Sequence, residues 1–339
     1  MTVAAPKVPF EPHLSADWFA LLQRTALPKG AIAEPLESVL PVGNVCVLPL
    51  MRLPDTPWRL ESMATFYSPI YGPIDGVVPD PDALTGKLRA LRSASHDRPA
   101  VIDLSPLDPD TPFFRITLDA LRRAGWLADR YFRFGNWHAH IASDSFDHFI
   151  AERPSRLRNT LQRSRRKIER LGDVSLTIHT RPDNTLDRAI ADFVAVYNAS
   201  WKRPEPFPDF IPGLCRLAAE RGWLRLGIMR RADQAVAVQL WLIAGGRAQI
   251  VKLAHDPAWQ HGSIGTVLTA DLMRHAIEHD RVTEIDYLIG DDAYKRDWMP
   301  LRRERHGLIA FNPSTARGLA AALRHYSGRA IRRLRPVAT

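Results

Sequence analysis

The sequence predicts an α/β fold organised in two domains. In the first half, segments with helical apolar spacing alternate with short apolar segments of strand type. In the second half, three strand-like segments follow in close order, separated by short polar or glycine turns, which is typical of antiparallel hairpins. The chain has 339 residues, of which 45% are hydrophobic and 24% charged, so it is long enough for two ordinary globular domains.

The elements of the first half can be assigned in order. Prolines interrupt the first forty residues, and we expect this segment to wrap the surface. Strands are predicted at 45–50, 58–63, 100–104 and 131–141, and helices at 83–93 and 112–123. Residues 66–78 are rich in Pro, Gly and aromatic side chains, which predicts an ordered loop. The first domain is therefore expected to span residues 1–145.

The second domain, residues 146–339, begins with a basic helix at 155–171 whose apolar positions keep the 4-3-4-3 spacing of one helical face. Further helices are predicted at 186–201, 210–221, 264–279 and 315–335. Strands are predicted at 174–179, 223–229, 235–243, 248–255 and 307–311, with one more just before Gly290.

Charge is unevenly spread between the two halves. Residues 1–145 carry 14 Lys/Arg against 16 Asp/Glu, a net charge of −2, whereas residues 146–339 carry 32 against 21, a net charge of +11. The basic half is therefore the expected contact for an anionic partner such as a CoA phosphate, a nucleotide, RNA or an acidic lipid.

Cysteine usage and hydropathy bear on location. The two cysteines, Cys46 and Cys215, are far apart and lack metal-ligand spacing. No apolar run approaches the roughly 20 residues of a membrane span, and the first residues lack a secretory signal pattern. We expect a cytoplasmic location, with peripheral attachment to the inner membrane face as a further option.

The segment IDYLIGDDAYKRDW, residues 285–298, places ionisable groups directly after a strand. It can be a surface turn in which Asp292 caps a short helix. It can equally be a site at the end of a sheet strand, where carboxylates hold an amine and a tyrosine donates a proton. Chemistry alone does not separate these readings.

A glycine-bearing loop, residues 259–265, leads into the predicted helix at 264–279. Backbone N–H groups at a helix start favour a phosphate, and Gly262 and Gly265 permit close approach. Glycines at such junctions are also common for steric reasons alone. His255, just before this loop, is a candidate general base or a structural histidine, and Trp201-Lys202 is a candidate lid or an ordinary helix end.

The helix at 155–171 is the most basic part of the chain. Eight Arg/Lys lie between Arg153 and Arg170 against one Glu, so this helix is either a solvated face or a docking surface for a polyanion. The sequence has no Cys/His metal cluster, no serine nucleophile elbow, no phosphate-loop lysine motif and no dinucleotide fingerprint.

Taken together, the order of elements in the second half resembles the GNAT-fold acyltransferases, and most closely the FemAB-related branch that includes the CelD-type (cellulose-biosynthesis) acetyltransferases. The resemblance rests on a tail pattern of Asp, Gly-Asp, Tyr-Lys and Trp, met by Asp286, Gly290, Asp291, Tyr294, Lys295 and Trp298. It implies two tandem GNAT-like domains, each a mixed, largely antiparallel sheet flanked by helices, with the first domain degenerate.

The resemblance also implies roles for particular residues. Tyr294 would protonate the leaving group, with Asp291 or Asp292 handling the incoming amine. An acyl-CoA co-substrate would contact Ala254, His255, Gly262, Ser263, Gly265 and Thr266. The acceptor would contact Trp201, Lys202, Lys252, Asp286 and Lys295, and no metal is implied. One departure is that Gln260 stands two residues before Gly262, whereas the usual acetyl-CoA loop places its Arg or Gln three residues before the glycine.

The function expected from this resemblance is an N-acyltransferase. It would move an acyl group, acetyl by preference, from acyl-CoA to an amine of an envelope-glycan, polysaccharide or nucleotide-sugar precursor. An alternative is a FemAB-like transferase that uses aminoacyl-tRNA. A third is a non-catalytic protein of the same fold that binds RNA, another polyanion or an anionic membrane surface through its basic helices, since no acidic residue follows Arg305.

Overall fold

The computed structural model describes residues 10–40, 43 and 45–334, apart from the side chains of residues 260–262 and 331–334. In chain order the helices are α1 Ala16–Thr25, α2 Pro81–Ser93, α3 Pro112–Arg123, α4 Phe146–Ala151, α5 Ser155–Leu171, α6 Leu186–Ala199, α7 Phe210–Glu220, α8 Ile264–Glu278, α9 Ala293–Trp298 and α10 Ala316–Leu334. The strands are β1 Ile32–Ala33, β2 Leu36–Val39, β3 Val45–Leu48, β4 Leu50–Arg52, β5 Arg59–Ser62, β6 Val101–Leu107, β7 Leu127–His140, β8 Val174–His179, β9 Leu224–Arg231, β10 Gln234–Ala244, β11 Arg247–His255, β12 Glu284–Asp286 and β13 Leu301–Phe311.

Contacts divide the described chain into two compact units. The first unit comprises residues 13–134 and 304–334, and the second unit comprises residues 10–12 and 135–303. The sequence-based division after residue 145 treats each domain as one continuous segment, whereas both units are discontinuous. The chain passes from one unit to the other within strands β7 and β13, which carry no proline or glycine cluster that would mark a boundary.

The sheet of the first unit follows the order β1-β4-β5-β6-β13-β7. The pairs β1–β4, β4–β5 and β6–β13 are antiparallel, whereas β5 and β6 run parallel because helix α2 provides the crossover between them. Helix α10 packs its Ala322 against Val101 and Phe311 of this sheet. Strands β2 and β3 form a separate two-stranded antiparallel sheet.

Helix α1 is an element that the sequence reading did not assign. Ser15 caps it by accepting a hydrogen bond from the backbone N–H of Trp18 at 3.1 Å, and Trp18, Phe19, Leu21 and Leu22 are buried. The first forty residues therefore contribute to a core, and the expectation that they wrap the surface is wrong for this segment.

The sheet of the second unit follows the order β7-β12-β11-β10-β9-β8. Strands β8 to β11 form the expected antiparallel meander, and β11 and β12 are the parallel pair, connected through helix α8. Helices α4, α5 and α8 share one hydrophobic core with one face of this sheet. Helices α6 and α7 bury a separate set of side chains against β9, β10 and β11.

Both units thus contain a mixed, largely antiparallel sheet flanked by helices, with one parallel pair joined by a helix. This confirms the predicted α/β class with two tandem domains of one type. No helix in the described residues combines the length and apolarity needed to cross a membrane.

Candidate active site

Strands β11 and β12 separate shortly after they pair. Their parallel register covers only Arg247↔Glu284, Ala248↔Ile285 and Gln249↔Asp286, although β11 continues to His255. We call the opening between residues 250–255 and residues 287–290 the wedge. Ligands of α/β proteins characteristically bind where neighbouring parallel strands part at their carboxyl ends.

A β-bulge in β11 determines which side chains next to the wedge point to each face of the sheet. Leu240 of β10 lies opposite Lys252, while the next residue, Trp241, lies opposite Ile250, so Val251 is the extra residue. Without the bulge, side chains would alternate regularly and Lys252 would share the α8 face with Ile250. The bulge instead turns Lys252 towards α6 and His255 towards the start of α8.

A buried hydrogen-bond chain supports the start of α8. The indole Nε1 of Trp241 donates to Gln239 Oε1 at 2.8 Å, and Gln239 Nε2 donates to Thr269 Oγ1 at 2.7 Å and to the Gly265 carbonyl at 3.2 Å. Thr269 Oγ1 donates to the same carbonyl at 2.8 Å. Gln239 is 1% exposed, so this chain fixes the first turn of α8 against the sheet.

The predicted donor loop forms the N-terminus of α8. Gly262 ends a 3-10 turn, and Ser263 adopts a left-handed backbone (φ 48°) and makes no side-chain capping bond within the described chain. The N–H of Thr266 donates to the Ser263 carbonyl at 2.9 Å. A Cβ on Gly265 would lie 3.2 Å from His255 Nδ1, so glycine is what lets this ring approach the helix.

The proline-spaced segment after α6, residues 200–209, passes over the end of β11. The rings of Trp201 and His255 have centroids 4.4 Å apart. Glu205 Oε1 accepts a hydrogen bond from Lys252 Nζ at 2.6 Å, and this ammonium also lies 5.3 Å from the Tyr197 ring centroid. Glu205 and Tyr197 were not predicted; the only sequence signal is that Glu205 is a lone carboxylate among prolines.

Lys202 is the most strongly perturbed cation of this group. Its Nζ lies 5.7 Å from the ring centroid of Tyr197 and 5.9 Å from that of Trp201. Burial first, and then the charges of Lys252 and Lys295, lower the pKa of Lys202 to about 8. A lysine with this pKa exists in both protonation states near neutral pH.

Opposite β11, helix α9 presents Tyr294. Its ring lies edge-on to Tyr287, with centroids 5.8 Å apart, and the side chain is 46% exposed. Partial burial, and then the charge of Asp292, raise the pKa of the Tyr294 phenol well above its ordinary value. The group therefore stays protonated at neutral pH, as a proton donor must. Burial likewise raises the pKa of Tyr287.

His255 is the group best suited to accept a proton. Burial lowers the pKa of His255, and the charge of Lys202 adds to this effect, so the imidazole is neutral at pH 7. Its Nδ1 is buried and has no hydrogen-bond partner in the described chain. The sequence predicted that His255 contacts the acyl-CoA donor. It also gave His255 as a candidate general base or a structural histidine.

The two carboxylates predicted to handle the amine are engaged otherwise. Asp291 accepts hydrogen bonds from Arg302, with Nη2 at 2.7 Å, and from Trp137 Nε1 at 2.7 Å. The Arg302 hydrogen bond is the main cause that lowers the pKa of Asp291, which makes it a poor base. Asp292 begins α9 and pairs with Lys295 at 3.1 Å.

Asp286 and Lys295 stabilise the segment that follows β12. Asp286 is 2% exposed and accepts from Asn136 Nδ2 at 2.5 Å, from the Leu288 N–H at 2.6 Å and from Arg303. Lys295 is 5% exposed and donates to the Ile289 carbonyl at 2.5 Å. These contacts fix both side chains beside the segment that follows β12, and the substrate contact expected from the motif stays a prediction.

The predicted site residues therefore fall into two sets. Around the wedge the structure brings together Trp201, Lys202, Lys252, Ala254, His255, Gly262, Ser263, Gly265, Thr266, Asp292 and Tyr294. Asp286, Asp291 and Lys295 lie next to this group, but their charged atoms are held by protein partners. Electrostatic interactions connect some of these groups. Lys202 interacts with Asp292 and Lys295 beside α9, and Tyr287 interacts with Tyr294.

Comparison with known proteins bears on the fold that carries this site. Residues 155–296 match the family model described as an acetyltransferase (GNAT) domain. The second unit has a GNAT fold. No curated protein matches the sequence.

Solved structures extend the likeness in fold over both units of the chain. FemX superimposes with a TM-score of 0.59 at 12% identity, covering 88% of this chain and 92% of that one. The C-terminal domain of a protein described as a lysylphosphatidylglycerol synthetase from Agrobacterium fabrum gives 0.56 at 13% identity, with 91% and 90% covered. L-PGS from Bacillus licheniformis gives 0.54 at 10% identity, with 91% and 96% covered. At these identities the shared feature is the fold, which is GNAT/FemAB-like.

Proposed function

We propose that this protein is an N-acyltransferase that moves an acyl group from acyl-CoA to an amine. The observation that carries the proposal is the wedge. The parallel strands β11 and β12 part there, and a neutral imidazole, a protonated phenol and a partly buried ammonium surround the opening. Acyl transfer from a thioester to an amine needs a base, an acid and a positive charge near the carbonyl oxygen.

The donor is placed along β11 and the start of α8. Beyond residue 249 the edge of β11 that faces the wedge has no strand partner in the described chain, so the amide groups of a pantetheine arm can pair with it. The backbone N–H groups around Ser263 and Gly265 lie at the N-terminus of α8. The positive end of the helix dipole there favours a pyrophosphate.

The chemical step assigns one role to each group. His255 takes a proton from the acceptor ammonium, and the free amine attacks the thioester carbonyl carbon to form the new C–N bond. The Lys202 ammonium stabilises the oxyanion of the tetrahedral intermediate. When the C–S bond breaks, Tyr294 donates its proton to the thiolate, and the nitrogen of the new amide loses its second proton to the Tyr294 phenolate. His255 then releases the proton it took from the ammonium to solvent.

The acceptor is placed beside Lys252 and Glu205. There a cavity of about 400 Å³ is lined mainly by apolar side chains, with the Glu205 carboxylate on its wall. A carboxylate next to an apolar cavity suits a molecule that carries an amine on a larger body. We propose that the acceptor is the amine of an envelope-glycan, polysaccharide or nucleotide-sugar precursor.

We also propose that the protein belongs to the CelD-type branch, because the tail pattern from Asp286 to Trp298 supports this assignment.

Calorimetric titration with CoA tests the donor site. We expect binding by the wild type and its loss in Gly265→Asp, because the new carboxylate would repel the pyrophosphate and crowd His255. Gly86→Asp is the matched control, since Gly86 lies within α2 with open space around it. Absence of binding by the wild type would remove acyl-CoA as the donor.

A second candidate donor is aminoacyl-tRNA, and the exposed side of α5 favours it. Five cations lie on one side of this helix, and they make no ion pair within the described residues: Arg156, Arg163, Arg166, Lys167 and Arg170. At 1.5 Å per residue they extend over about 21 Å, a length that covers several phosphates of an RNA backbone.

Filter binding of charged tRNA at two salt concentrations tests this candidate. We expect the double variant Arg163→Glu/Lys167→Glu to bind at least about tenfold more weakly and with a smaller salt slope. Arg188→Glu, an exposed cation on α6, is the control for reversal of charge elsewhere. Equal binding by both variants would exclude α5 as the RNA surface.

A further inference from the structure

A second cluster of ligating side chains lies in the second unit, on strands β7 and β12. In the antiparallel register, His140 pairs with Glu284 and His138 pairs with Asp286. Because strand side chains alternate, these four share one face of the sheet. Ala139 and Ile285, which lie between them, point to the opposite face and are buried in the core.

Three of these side chains can converge on one ion. His138, His140 and Glu284 each offer a ligand atom, and the three atoms all lie within 4.8 Å of one another. One of the separations, from His140 Nδ1 to Glu284 Oε2, is 4.0 Å. Ligand atoms about 2.0–2.1 Å from a tetrahedral ion are about 3.3–3.5 Å apart, so small side-chain rotations would close the site.

His138 provides an independent sign that a ligand is missing from this cluster. The residue is only 9% exposed, and its Nδ1 is buried with no hydrogen-bond partner among the described residues. Buried polar atoms are normally satisfied by protein, water or an ion. The remaining partner of this imidazole is therefore expected to come from outside the chain.

The neighbouring charges orient the carboxylate and favour a cation. Arg303 Nη2 donates to Glu284 Oε1 at 2.8 Å and also to Asp286, while Arg303 Nε donates to Asn136 Oδ1 at 2.6 Å. These bonds hold Glu284 so that Oε2 is the oxygen near the histidines. The carboxylates of Glu284 and Asp286 outnumber the single Arg303 guanidinium, so the net charge beside the site is negative. Hydrogen bonds to a ligand residue, such as those of Arg303 to Glu284, orient the ligand towards a metal ion.

We propose that His138, His140 and Glu284 bind a zinc ion, with water in the fourth position. Two imidazoles and a carboxylate suit Zn²⁺ better than Mg²⁺ or Ca²⁺, which prefer oxygen ligands. The ion would join β7 to β12, the strand that leads into residues 287–290 of the wedge. The sequence reading had implied no metal, because the two histidines and the glutamate are about 145 residues apart and only the sheet register brings them together.

Titration of the full-length, untagged, chelator-treated protein tests the proposal. We expect one Zn²⁺ per chain by calorimetry, and visible absorption typical of four-coordinate cobalt when Co²⁺ replaces Zn²⁺. His140→Ala should weaken binding by about a hundredfold or more, since even outer-shell changes cost 10- to 100-fold. His140 is largely exposed, with 69% of its side chain accessible, so this variant should keep the circular dichroism spectrum of the wild type.

His279→Ala is the matched control, because His279 belongs to another histidine pair, with His275 at a ring distance of 4.9 Å. It should bind Zn²⁺ as the wild type does. The proposal is overturned by absence of binding in the wild type, by equal binding in His140→Ala, or by loss of binding in the His279→Ala variant alone. None of these outcomes bears on the acyltransferase proposal.

Discussion

The surroundings of Lys202 destabilise the charged form of its side chain, because they bury it and place other positive charges nearby. The pKa of about 8 means that the ammonium is lost as pH rises through 8, while His255, with its pKa lowered below the ordinary 6.5, becomes protonated only at lower pH. We expect kcat/KM to fall on the alkaline side near pH 8 and on the acid side below 6.5. The pH profile of acyl transfer measures both limbs.

The Lys202→Met variant separates function from stability. Its pH profile should lack the alkaline limb, and kcat should be mostly lost. Its free energy of unfolding at pH 7, measured by urea denaturation, should be higher than that of the wild type by about 1 kcal/mol. The sign follows from proton binding. Between pH 8 and roughly 10.4 the unfolded state holds more protons on Lys202, so wild-type stability rises with pH there and the variant lacks this rise. A variant no more stable than wild type at pH 7 would contradict the burial of this charge.

Tyr294 is the proton donor that the resemblance predicts, and its role stays a prediction. Tyr294→Phe should lower kcat by about 10²- to 10⁴-fold while CoA affinity and melting temperature stay unchanged, because the ring is half exposed and keeps its packing on Tyr287. Tyr326→Phe, another partly exposed tyrosine (39%), is the control. Steady-state kinetics of both variants decides the assignment, and an unchanged kcat in Tyr294→Phe would remove the tyrosine from the mechanism.

The same motif names Asp291 as a group that handles the amine, but it does not show the partners of this carboxylate. Asp291 follows Gly290 as the pattern requires, but its pKa depends on hydrogen bonds from Arg302 of β13 and Trp137 of β7, which the motif does not include. A sequence motif gives the types of residue at a strand end. It does not give the hydrogen bonds that decide whether a carboxylate is available for protons.

Among the elements, regular helices and strands were predictable and the bulge was not. Helix α5 and strand β8 match the predicted ranges because apolar spacing and Gly172 define them locally. The bulge at Val251 depends on pairing between β10 and β11, and no residue type in the sequence marks it. Lys252 was named as a substrate contact, whereas its partner Glu205 was missed, since the pair forms only after the bulge turns Lys252 towards α6.

This pair joins the 200–209 segment to β11, and a double-mutant cycle measures its strength. The side chains are 14% and 11% exposed, so Lys252→Met alone leaves the Glu205 carboxylate in a low-dielectric site and should cost about 3 kcal/mol of unfolding free energy. Adding Glu205→Gln should recover part of that loss, giving a coupling of about 1–3 kcal/mol by urea denaturation. Strictly additive effects would mean that the two groups do not interact.

Across the whole molecule, the two units share one plan but differ at the parallel strands. In the first unit Ser62 of β5 bridges to β6, donating to the Ser105 carbonyl at 2.6 Å and accepting from the Ser105 N–H at 3.1 Å. In the second unit the corresponding pair, β11 and β12, opens into the wedge. This bridge by Ser62 is one difference consistent with the predicted degeneracy of the first domain.

The discontinuity of the units was not predicted. One crossing, between residues 134 and 135, lies inside the strand predicted at 131–141, and the other, between residues 303 and 304, precedes the strand predicted at 307–311. Helix α10, at the end of the chain, belongs to the first unit, and Gly318 shows how it docks. A Cβ there would lie 2.2 Å from the Asn312 carbonyl oxygen and 2.8 Å from that of Ala100, both backbone atoms that cannot easily move. The contact therefore requires glycine at this position.

Gly318→Ala should consequently destabilise the first unit by about 1–3 kcal/mol, because the helix must shift away from β6. Gly328→Ala is the matched control in the same helix, since its Cβ would meet open space and alanine favours helix by about 1 kcal/mol over glycine. Hydrogen exchange read by mass spectrometry should show faster exchange in β6, β13 and α10 of Gly318→Ala, and unchanged protection in β9 to β11 of the second unit. Uniform loss of protection through residues 135–303 would contradict the division into two units with separate cores.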